Sequence, residues 1–380
     1  MNLRDLVSKN KAEWLDSMLT EEKHAEGVMP KVPKPEPIPY SKEADAKITA
    51  SQRNEVIAKF ESGMHDRIIG QPKVIDAFVH AYKTHLLGMN PPNRPITVML
   101  LAGPTGVGKT LSCQAAAETL YGNRNGFTRV DCAEIQHGHE VAKLTGAPPG
   151  YLGHRETEAI FSPARIEKWQ TTDAPFNLVL FDEIEKGHPA LWDLMLGIFD
   201  TGTMTCGNNL PTDFTKSIII MTTNLGAKEM DRILKGTSLG FVQPDFGKAA
   251  ATTDSVIRGT FRPEFINRID TIVALDKLSD NDMKHVLKLE MVAVQERILH
   301  AKCPVFILKY THAAETQLLS EGTDDRYGAR ALKRTIERLV VQPLIDMLLR
   351  KEIDSADIVT VDAENGKIIF RHIPRGAECE

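Results

Sequence analysis

The chain has 380 residues and carries 46 Lys and Arg against 51 Asp and Glu, a formal net charge of −5. Apolar residues make up 42% and charged residues 26%, values that are typical of globular domains and exclude a globally disordered chain. The slightly acidic balance argues against a general nucleic-acid-binding protein, because that class usually has a clear basic excess.

The sequence contains no apolar run near the roughly 20 residues that a membrane helix requires. Its first residues carry charges throughout and lack the apolar block of a secretory signal. Its five cysteines include no CxxC pair, which argues against a disulfide framework and against a zinc ribbon. We therefore expect a cytoplasmic protein that contacts neither membrane nor nucleic acid.

Residues 1–28 predict one amphipathic helix, because apolar side chains recur near helical spacing among charged ones. Residues 29–50 predict an extended linker, since five prolines fall within the ten residues 30–39. Three alternatives stay open for the helix: it packs on its own domain, it docks onto an adaptor or other partner, or it is disordered.

Residues 51–275 predict a large α/β domain. Short, near-continuous apolar stretches predict buried strands, and longer helical stretches separate them. This alternation is typical of a parallel sheet covered by helices on both faces. The expected strands cover residues 96–101, 127–131, 177–181 and 217–221.

Residues 276–380 predict a second, small and mostly helical domain. Apolar residues at a spacing near 3.6 predict helices over residues 279–301 and 329–351. Two short stretches, residues 357–362 and 367–371, are joined by Ala-Glu-Asn-Gly and predict a short terminal β-hairpin.

Residues 103–110, Gly-Pro-Thr-Gly-Val-Gly-Lys-Thr, match the phosphate-loop pattern GxxxxGK[ST]. The motif follows a predicted strand and opens a predicted helix over residues 111–121, as the pattern requires. Its glycines let backbone N–H groups curl around phosphate, and the helix N-terminus favours negative charge. We expect Lys109 to reach the β- and γ-phosphates of ATP and the Thr110 hydroxyl to hold Mg²⁺. The expected nucleotide-binding residues of this loop are Gly103, Pro104, Thr105, Gly106, Val107, Gly108, Lys109, Thr110 and Leu111.

Two further predicted strands end in polar residues that suit ATP hydrolysis. Asp182 and Glu183 follow residues 177–181. In a phosphate-loop ATPase, the first carboxylate binds Mg²⁺, largely through water, and the second acts as the general base. Two acids at a strand end can also simply cap the next helix. Asn224 follows residues 217–221, where its amide would reach the γ-phosphate or the attacking water; an ordinary turn asparagine is the alternative.

In their order along the chain, these motifs resemble the AAA+ ATPases of the Clp unfoldase and disaggregase group, above all the second, C-terminal ATPase module of ClpA, ClpB and ClpC. The resemblance covers residues 60–370. It implies a phosphate-loop AAA+ large domain, a small lid domain, and hydrolysis of ATP with Mg²⁺. The strings that carry it are Ile68-Ile-Gly-Gln71, the phosphate loop, Gly146-Ala-Pro-Pro-Gly-Tyr151-Leu-Gly153, Asp182-Glu-Ile-Glu-Lys-Gly-His-Pro189, Thr222-Thr-Asn-Leu-Gly226, Phe261-Arg-Pro-Glu-Phe-Ile-Asn-Arg268-Ile-Asp270 and Tyr327-Gly-Ala-Arg330.

The resemblance also implies roles at the nucleotide. Arg268 would be an arginine finger that reaches the nucleotide of the neighbouring subunit, and Arg330 a sensor of the γ-phosphate in its own subunit. Asn224 would be the sensor on the sheet, and Ile68 and Ile69 would lie against the adenine. Without the resemblance, Arg268 is better explained as a structural ion-pair residue and Arg330 as a solvated residue at a helix start.

The resemblance further implies a homohexamer that pulls protein substrates through an axial channel. Tyr151 and Leu152 match the loop that lines this channel, where an aromatic side chain grips an extended polypeptide. A tyrosine that packs locally at a Gly-rich turn is the alternative. Leu239-Gly-Phe241 matches the tripeptide with which some members dock onto a ClpP-type peptidase.

The sequence thus predicts an ATP-dependent protein unfoldase or remodelling chaperone that works as a ring. The 380 residues contain one such ATPase module, so we expect a single-ring assembly. The alternative is a dedicated ATP-driven switch or scaffold, which residues 1–28 recruit to one partner complex and which does not thread its substrate.

Overall fold

The computed structural model describes residues 50–146, 159–226, 255–324 and 327–373. The predicted N-terminal helix, the linker up to residue 49, the channel residues Tyr151 and Leu152 and the Leu239–Phe241 string lie outside these residues. The chain forms two compact units. Of the described residues, the large unit comprises those within Asn54–Asp282 and Asp324–Arg330, and the small unit comprises residues 50–53, Met283–Thr323 and residues 331–373.

The large unit is built around a parallel sheet. The strands described in it are β1 Thr97–Ala102, β2 Thr128–Asp131, β3 Asn177–Asp182, β4 Thr203–Thr205, β5 Pro211–Asp213, β6 Ser217–Thr223 and β7 Thr271–Ala274. Five of them form one all-parallel sheet in the order β2-β3-β6-β1-β7, and β4 and β5 form a separate antiparallel pair. The predicted parallel sheet and its four strands are confirmed, whereas the sequence analysis missed β4, β5 and β7.

Helices cover both faces of the sheet, because alternate residues of its central strands pack into two different apolar clusters. Leu178 and Leu180 of β3 join the cluster on one face, and Val179 and Phe181 join the cluster on the other. Every residue of β3 and of β6 is buried. This two-sided burial explains why these strands are continuous apolar runs in the sequence.

The helices of the large unit pack against this sheet. The structure gives their bounds as α1 Ala50–His65, α2 Pro72–Leu86, α3 Lys109–Tyr121, α4 Ala142–Thr145, α5 Pro163–Ile166, α6 Pro189–Thr201 and α7 Pro263–Ile266. Four of them begin with proline, whose missing N–H costs no hydrogen bond at the first helical position. The predicted helix after the phosphate loop is α3, which ends at Gly122 in the left-handed conformation (φ 66°).

The chain after β7 is mostly helical with a small sheet, as predicted. It contains α8 Asp280–His300, α9 His312–Gly322, α10 Ala329–Ile336, α11 Gln342–Leu349, β8 Ile307–Tyr310, β9 Ile358–Glu364 and β10 Lys367–Ile373. The predicted hairpin is β9–β10, and its turn has Asn365 and Gly366 at φ of 52° and 73°. β8, which was not predicted, adds a third strand parallel to β9. The helix predicted over residues 329–351 is not continuous, because the π-helical turn Glu337–Val341 separates α10 from α11.

Two further features of the described residues concern the cysteines and the helices. Cys113, Cys132, Cys206 and Cys303 are free thiols, and the first three are buried. Within the four described ranges, no helix is both long and apolar enough to cross a membrane.

Candidate nucleotide site

The loops that follow β1, β3 and β6 meet at one edge of the sheet. Both β1 and β3 pair with β6 in parallel, so the carboxyl ends of the three strands, Ala102, Asp182 and Thr223, lie at the same edge. Open α/β sheets bind their ligands at this edge. The fold therefore brings together the phosphate loop, the acidic pair and the asparagine, which are far apart in the sequence.

The phosphate loop passes directly from β1 into α3. Gly106 and Gly108 have φ of 82° and 106°, in the region where a side chain would be strained. Gly108 caps the N-terminus of α3, and its carbonyl accepts the N–H of Ser112 at 2.8 Å. The unpaired N–H groups of a first helical turn and the helix dipole together favour an anion such as a nucleotide phosphate. The loop geometry thus fits the phosphates of ATP.

Gly106 also allows a second segment to approach the loop. Its carbonyl accepts the N–H of Ala329 at 3.2 Å. A Cβ at position 106 would lie 2.0 Å from the Tyr327 carbonyl oxygen and 3.4 Å from the backbone nitrogen of Arg330. Residues 327–330, at the start of α10, therefore pack directly on the phosphate loop.

Replacing Gly106 with Ala should destabilise the chain by more than the strain of a left-handed residue alone. That strain costs roughly 1–2 kcal/mol, and the new Cβ must also displace the Tyr327 carbonyl. Gly122→Ala is the matched control, because Gly122 has φ 66° and a Cβ there would meet nothing within 4 Å. We expect the midpoint of thermal unfolding to fall for both variants, and further for Gly106→Ala. Equal decreases would contradict the close packing of residues 327–330 on the loop.

Lys109 is held inside the loop to which it belongs. Its Nζ donates to the carbonyl oxygens of Gly103 (2.6 Å) and Pro104 (2.7 Å) and to Oδ1 of Asn224 (2.9 Å). With the residue only 8% exposed, burial lowers the pKa of Lys109 to about 8, although nearby carboxylates, Glu185 foremost, favour the charged form. A bound phosphate would favour the charged form in the same way.

Asp182 accepts hydrogen bonds from three different elements. Its Oδ1 accepts the hydroxyls of Thr222 on β6 (2.6 Å) and of Thr110 on α3 (3.2 Å). Its Oδ2 accepts Nη2 of Arg129 on β2 at 2.7 Å. The position of this carboxylate is therefore set by α3, β2 and β6 together.

The surroundings of Thr110 and Asp182 fit a magnesium ion that is shared with a nucleotide. Mg²⁺ prefers oxygen ligands and, in ATPase sites, binds one or two protein oxygens together with phosphates and water. One hydroxyl and one carboxylate oxygen are adjacent here, 3.2 Å apart. Among the residues that the structure describes, no three His, Cys, Asp or Glu side chains form a metal site by themselves.

Glu183 follows Asp182 in a left-handed conformation, with φ 56°. Its backbone N–H donates to the Thr222 hydroxyl at 3.0 Å, which anchors this turn to β6. Its partly exposed carboxylate accepts Nδ2 of Asn224 at 3.3 Å and pairs with Lys186. A carboxylate that is held in place and open to water is suited to act as a general base.

Asn224 links the lysine of the phosphate loop with the acidic residues after β3. Its Oδ1 accepts Nζ of Lys109, and the Thr105 hydroxyl lies 3.4 Å from the same oxygen. Its Nδ2 lies 3.3 Å from Oε1 of Glu183 and 3.4 Å from Oε1 of Glu185. The asparagine thus bridges Lys109 and the acidic residues at this edge of the sheet.

The remaining residues predicted at the nucleotide differ in their surroundings. Ile68 and Val107 are buried in the apolar cluster on one face of the sheet. Ile69 is partly buried, and Leu111 is exposed. Ile68 and Val107 therefore contribute to the core of the large unit in addition to any contact with a nucleotide.

Arg268 has its partners elsewhere, next to the end of α6. Its guanidinium pairs with Asp200, and Nη2 of Arg94 donates to the Arg268 carbonyl at 3.3 Å. Nε of Arg94 also donates to the Phe199 carbonyl at 3.0 Å, which ties the Arg268 segment to α6. The Arg268 side chain is 41% exposed, so a neighbouring molecule can reach it.

Sequence reasoning assigned no role to several residues that shape this site. Gln71 is buried and its Nε2 donates to the Asp276 carbonyl at 2.8 Å and lies 3.5 Å from the Val107 carbonyl. Its signal in the sequence is its place in the string Ile68-Ile-Gly-Gln71. The others contact residues that are distant in the sequence: Arg129, Glu185 and Thr222 at the edge of the sheet, and Asp200 beside Arg268.

Comparison with known families agrees with this geometry. Residues 94–272 match the family of the AAA domain (Cdc48 subfamily), and residues 278–361 match the C-terminal, D2-small domain of ClpB protein. The chain belongs to the Clp group of AAA+ ATPases. The order of the two matches is that of the C-terminal ATPase module of Clp proteins, as the sequence motifs predicted.

The relatives of this Clp-type module are considerably longer proteins. Chaperone protein ClpB of Aquifex aeolicus (strain VF5) is 35% identical over 314 residues, which are 83% of this chain and 30% of the relative. The ATP-dependent Clp protease ATP-binding subunit ClpA homolog of Guillardia theta is 33% identical over 329 residues, 85% of this chain and 39% of the relative. A cryo-EM reconstruction of closed-state Hsp104 with ATPγS and FITC casein has a TM-score of 0.72 and 28% identity, covering 86% of this chain and 53% of that one. The chain thus spans about a third of these curated relatives.

Proposed function

We propose that this Clp-type module hydrolyses ATP with Mg²⁺ and uses the energy to unfold or remodel protein substrates. The observation that carries the proposal is the contact network of Lys109, Asn224 and Glu183 beside Asp182, at the N-terminus of α3. Lys109 and the N–H groups of the loop bind the β- and γ-phosphates. The other residues of the proposed nucleotide site are Ile68, Ile69, Gly103, Pro104, Thr105, Gly106, Val107, Gly108, Thr110, Leu111 and Arg330.

Each polar residue has a distinct part in the proposed reaction. Thr110 and Asp182 hold Mg²⁺, which neutralises phosphate charge when it is bound. Glu183 takes the proton of the attacking water, because its carboxylate is partly exposed and held 3.3 Å from Nδ2 of Asn224. Asn224 orients that water and keeps contact with Lys109.

We further propose a homohexamer in which Arg268 completes the site of the neighbouring subunit. A cation supplied in trans stabilises the charge that develops on the transferring phosphoryl group and makes hydrolysis depend on assembly. The exposure of Arg268 supports this role. Arg330, the last residue of the segment packed on Gly106, senses the γ-phosphate in its own subunit.

The proposed substrates are polypeptides, which Tyr151 and Leu152 grip in the axial channel. The names of the relatives support this proposal, since several are chaperones and the Hsp104 structure was determined with casein. These relatives do not favour the alternative of a dedicated switch recruited through residues 1–28.

The binding partners, the cellular location and the domain boundaries of the chain stay predictions. The name of the Guillardia theta relative, a subunit of a Clp protease, supports docking of a ClpP-type peptidase at residues 239–241. Binding of an adaptor to residues 1–28 and a cytoplasmic location are proposed on the sequence alone. The division of the chain into an N-terminal helix, a linker to residue 50, a large domain to residue 275 and a small domain is likewise proposed on the sequence alone.

Unfolding of a fluorescent reporter protein with an unstructured tail tests the proposed function. We expect the full chain to abolish reporter fluorescence only in the presence of ATP. Tyr151→Ala should slow this unfolding by about tenfold or more, equivalent to at least about 1.4 kcal/mol, because the aromatic grip on the polypeptide is lost. Its rate of ATP hydrolysis should stay close to that of the wild type.

Tyr151→Phe is the matched control, since it keeps the ring and loses only the hydroxyl, and we expect it to unfold the reporter like the wild type. Wild-type hydrolysis without any unfolding would favour the dedicated switch. Unfolding at equal rates by Tyr151→Ala and the wild type would exclude a role for this side chain.

A further inference from the structure

Glu185 holds the sensor asparagine at two points. Its Oε1 accepts the backbone N–H of Asn224 at 3.0 Å and lies 3.4 Å from Nδ2 of the same residue. Glu185 belongs to the short helical turn Ile184–Lys186 that follows β3, and Asn224 follows β6, the strand that pairs with β3. The contact therefore joins the two loops that carry the proposed base and the proposed sensor.

Together with Lys109 and Glu183, Glu185 favours one orientation of the Asn224 amide. A side-chain amide has an acceptor oxygen and a donor NH₂ of nearly the same shape, so two orientations fit the same space. In the observed orientation, Oδ1 accepts the Lys109 ammonium at 2.9 Å, and Nδ2 faces the carboxylates of Glu183 and Glu185. The reverse orientation would set the NH₂ against the ammonium and the carbonyl oxygen against two carboxylates, so that both ends would be repelled.

Folding alone does not explain a glutamate at this position. Its second oxygen, Oε2, is buried and has no hydrogen-bond partner among the described residues. A buried carboxylate oxygen without a partner is unfavourable for folding. The hydrogen bonds that Glu185 does make go to Asn224, so its contacts lie with the site rather than with the core.

We propose that Glu185 is a positioning residue that holds the Asn224 amide with its NH₂ toward Glu183 and its oxygen on Lys109. Glu185 acts through Asn224, so that the sensor is oriented before Glu183 activates the water. This inference rests on the proposed hydrolysis of ATP and deepens it, because it assigns a residue outside the expected nucleotide-binding set.

The main test is a double-mutant cycle on the full chain. Glu185→Ala should lower kcat for ATP hydrolysis about tenfold, within the range measured for coupled contacts. KM and the Kd of a fluorescent ATP analogue should stay within about twofold, since an orienting contact acts on the transition state. In the Asn224→Ala background, the same substitution should change kcat less than about twofold. Additive losses in kcat would overturn the proposal.

Two more variants separate positioning from a structural defect. Glu185→Gln keeps a carbonyl oxygen that can accept the Asn224 N–H, and we expect it to recover kcat to within about threefold of the wild type. Glu140→Ala is the matched control, because Glu140 also accepts backbone N–H groups, those of Gln136 (2.8 Å) and His137 (2.9 Å). Its kcat should equal that of the wild type.

The outcomes distinguish the two proposals. A wild-type chain that binds the ATP analogue without turnover contradicts the proposed function itself. An active wild type with an equally active Glu185→Ala overturns only the positioning role. A Glu185→Gln variant that is as slow as Glu185→Ala also overturns the positioning role. A fall in the kcat of Glu185→Ala that is matched by an equal loss of nucleotide affinity does the same.

Discussion

Glu183→Gln should lower kcat for ATP hydrolysis by about 10²–10⁴-fold, the contribution typical of a general base, and leave ATP binding intact. The substitution keeps the size of the side chain and an oxygen that can still accept Nδ2 of Asn224. It removes the ability to take a proton from water and, with the charge, the ion pair with Lys186. Steady-state phosphate release and the Kd of a fluorescent ATP analogue measure the two quantities separately.

Glu140→Gln is the control for this substitution, because Glu140 is a glutamate of the large unit whose carboxylate instead accepts the N–H groups of Gln136 and His137. It should hydrolyse ATP like the wild type. Turnover of Glu183→Gln near the wild-type rate would exclude Glu183 as the base. Loss of ATP binding in that variant would assign the residue a structural role.

Arg268→Ala should lower kcat by about 10³–10⁵-fold, the effect attributed to an arginine finger, and keep the affinity for nucleotide. In its own chain the side chain is 41% exposed and pairs with Asp200, so its removal leaves the phosphate loop and the acidic pair unchanged. Arg124→Ala is the control, since Arg124 is also exposed and its guanidinium donates to Oε1 of Gln114, away from the proposed site. We expect it to be fully active.

Mixing two inactive variants tests whether Arg268 acts in trans. In a ring that contains both Arg268→Ala and Glu183→Gln subunits, some sites combine an intact Glu183 with an intact Arg268 from the neighbour. We expect the mixture to regain a measurable part of the wild-type rate, in proportion to the number of such pairs. A mixture that forms rings and shows no more activity than either variant alone would contradict the assignment.

The strands that were missed in the sequence differ physically from those that were predicted. Each residue of β3 and β6 is buried, so both strands are runs of apolar side chains in the sequence. In β7 and β8, by contrast, only one of four residues is buried. Each is only four residues long, and an apolar stretch this short does not distinguish a strand from a helix or loop until its pairing with β1 or β9 is seen.

The residues around the nucleotide site also fall into two groups, those that a sequence motif predicts and those whose contacts only the fold shows. Lys109 and Thr110 belong to a motif of fixed spacing, because one short loop must supply all of its contacts to phosphate. Arg129, Glu185 and Asp200 carry no such signal of their contacts, although Glu185 lies within the string Asp182–Pro189. Each bonds to a residue on another segment, respectively Asp182, Asn224 and Arg268.

The phosphate loop, the strands that are buried on both faces and the Clp-type order of motifs could all be predicted from the sequence, since each depends on neighbouring residues along the chain. Which side chains meet at the edge of the sheet could not be predicted in this way, because it depends on strand pairing. The strand order of the sheet, β2-β3-β6-β1-β7, does not follow the order in the chain. Lys109, Asp182 and Asn224 therefore come together through strand pairing, and Glu185 can orient Asn224 because β3 lies beside β6.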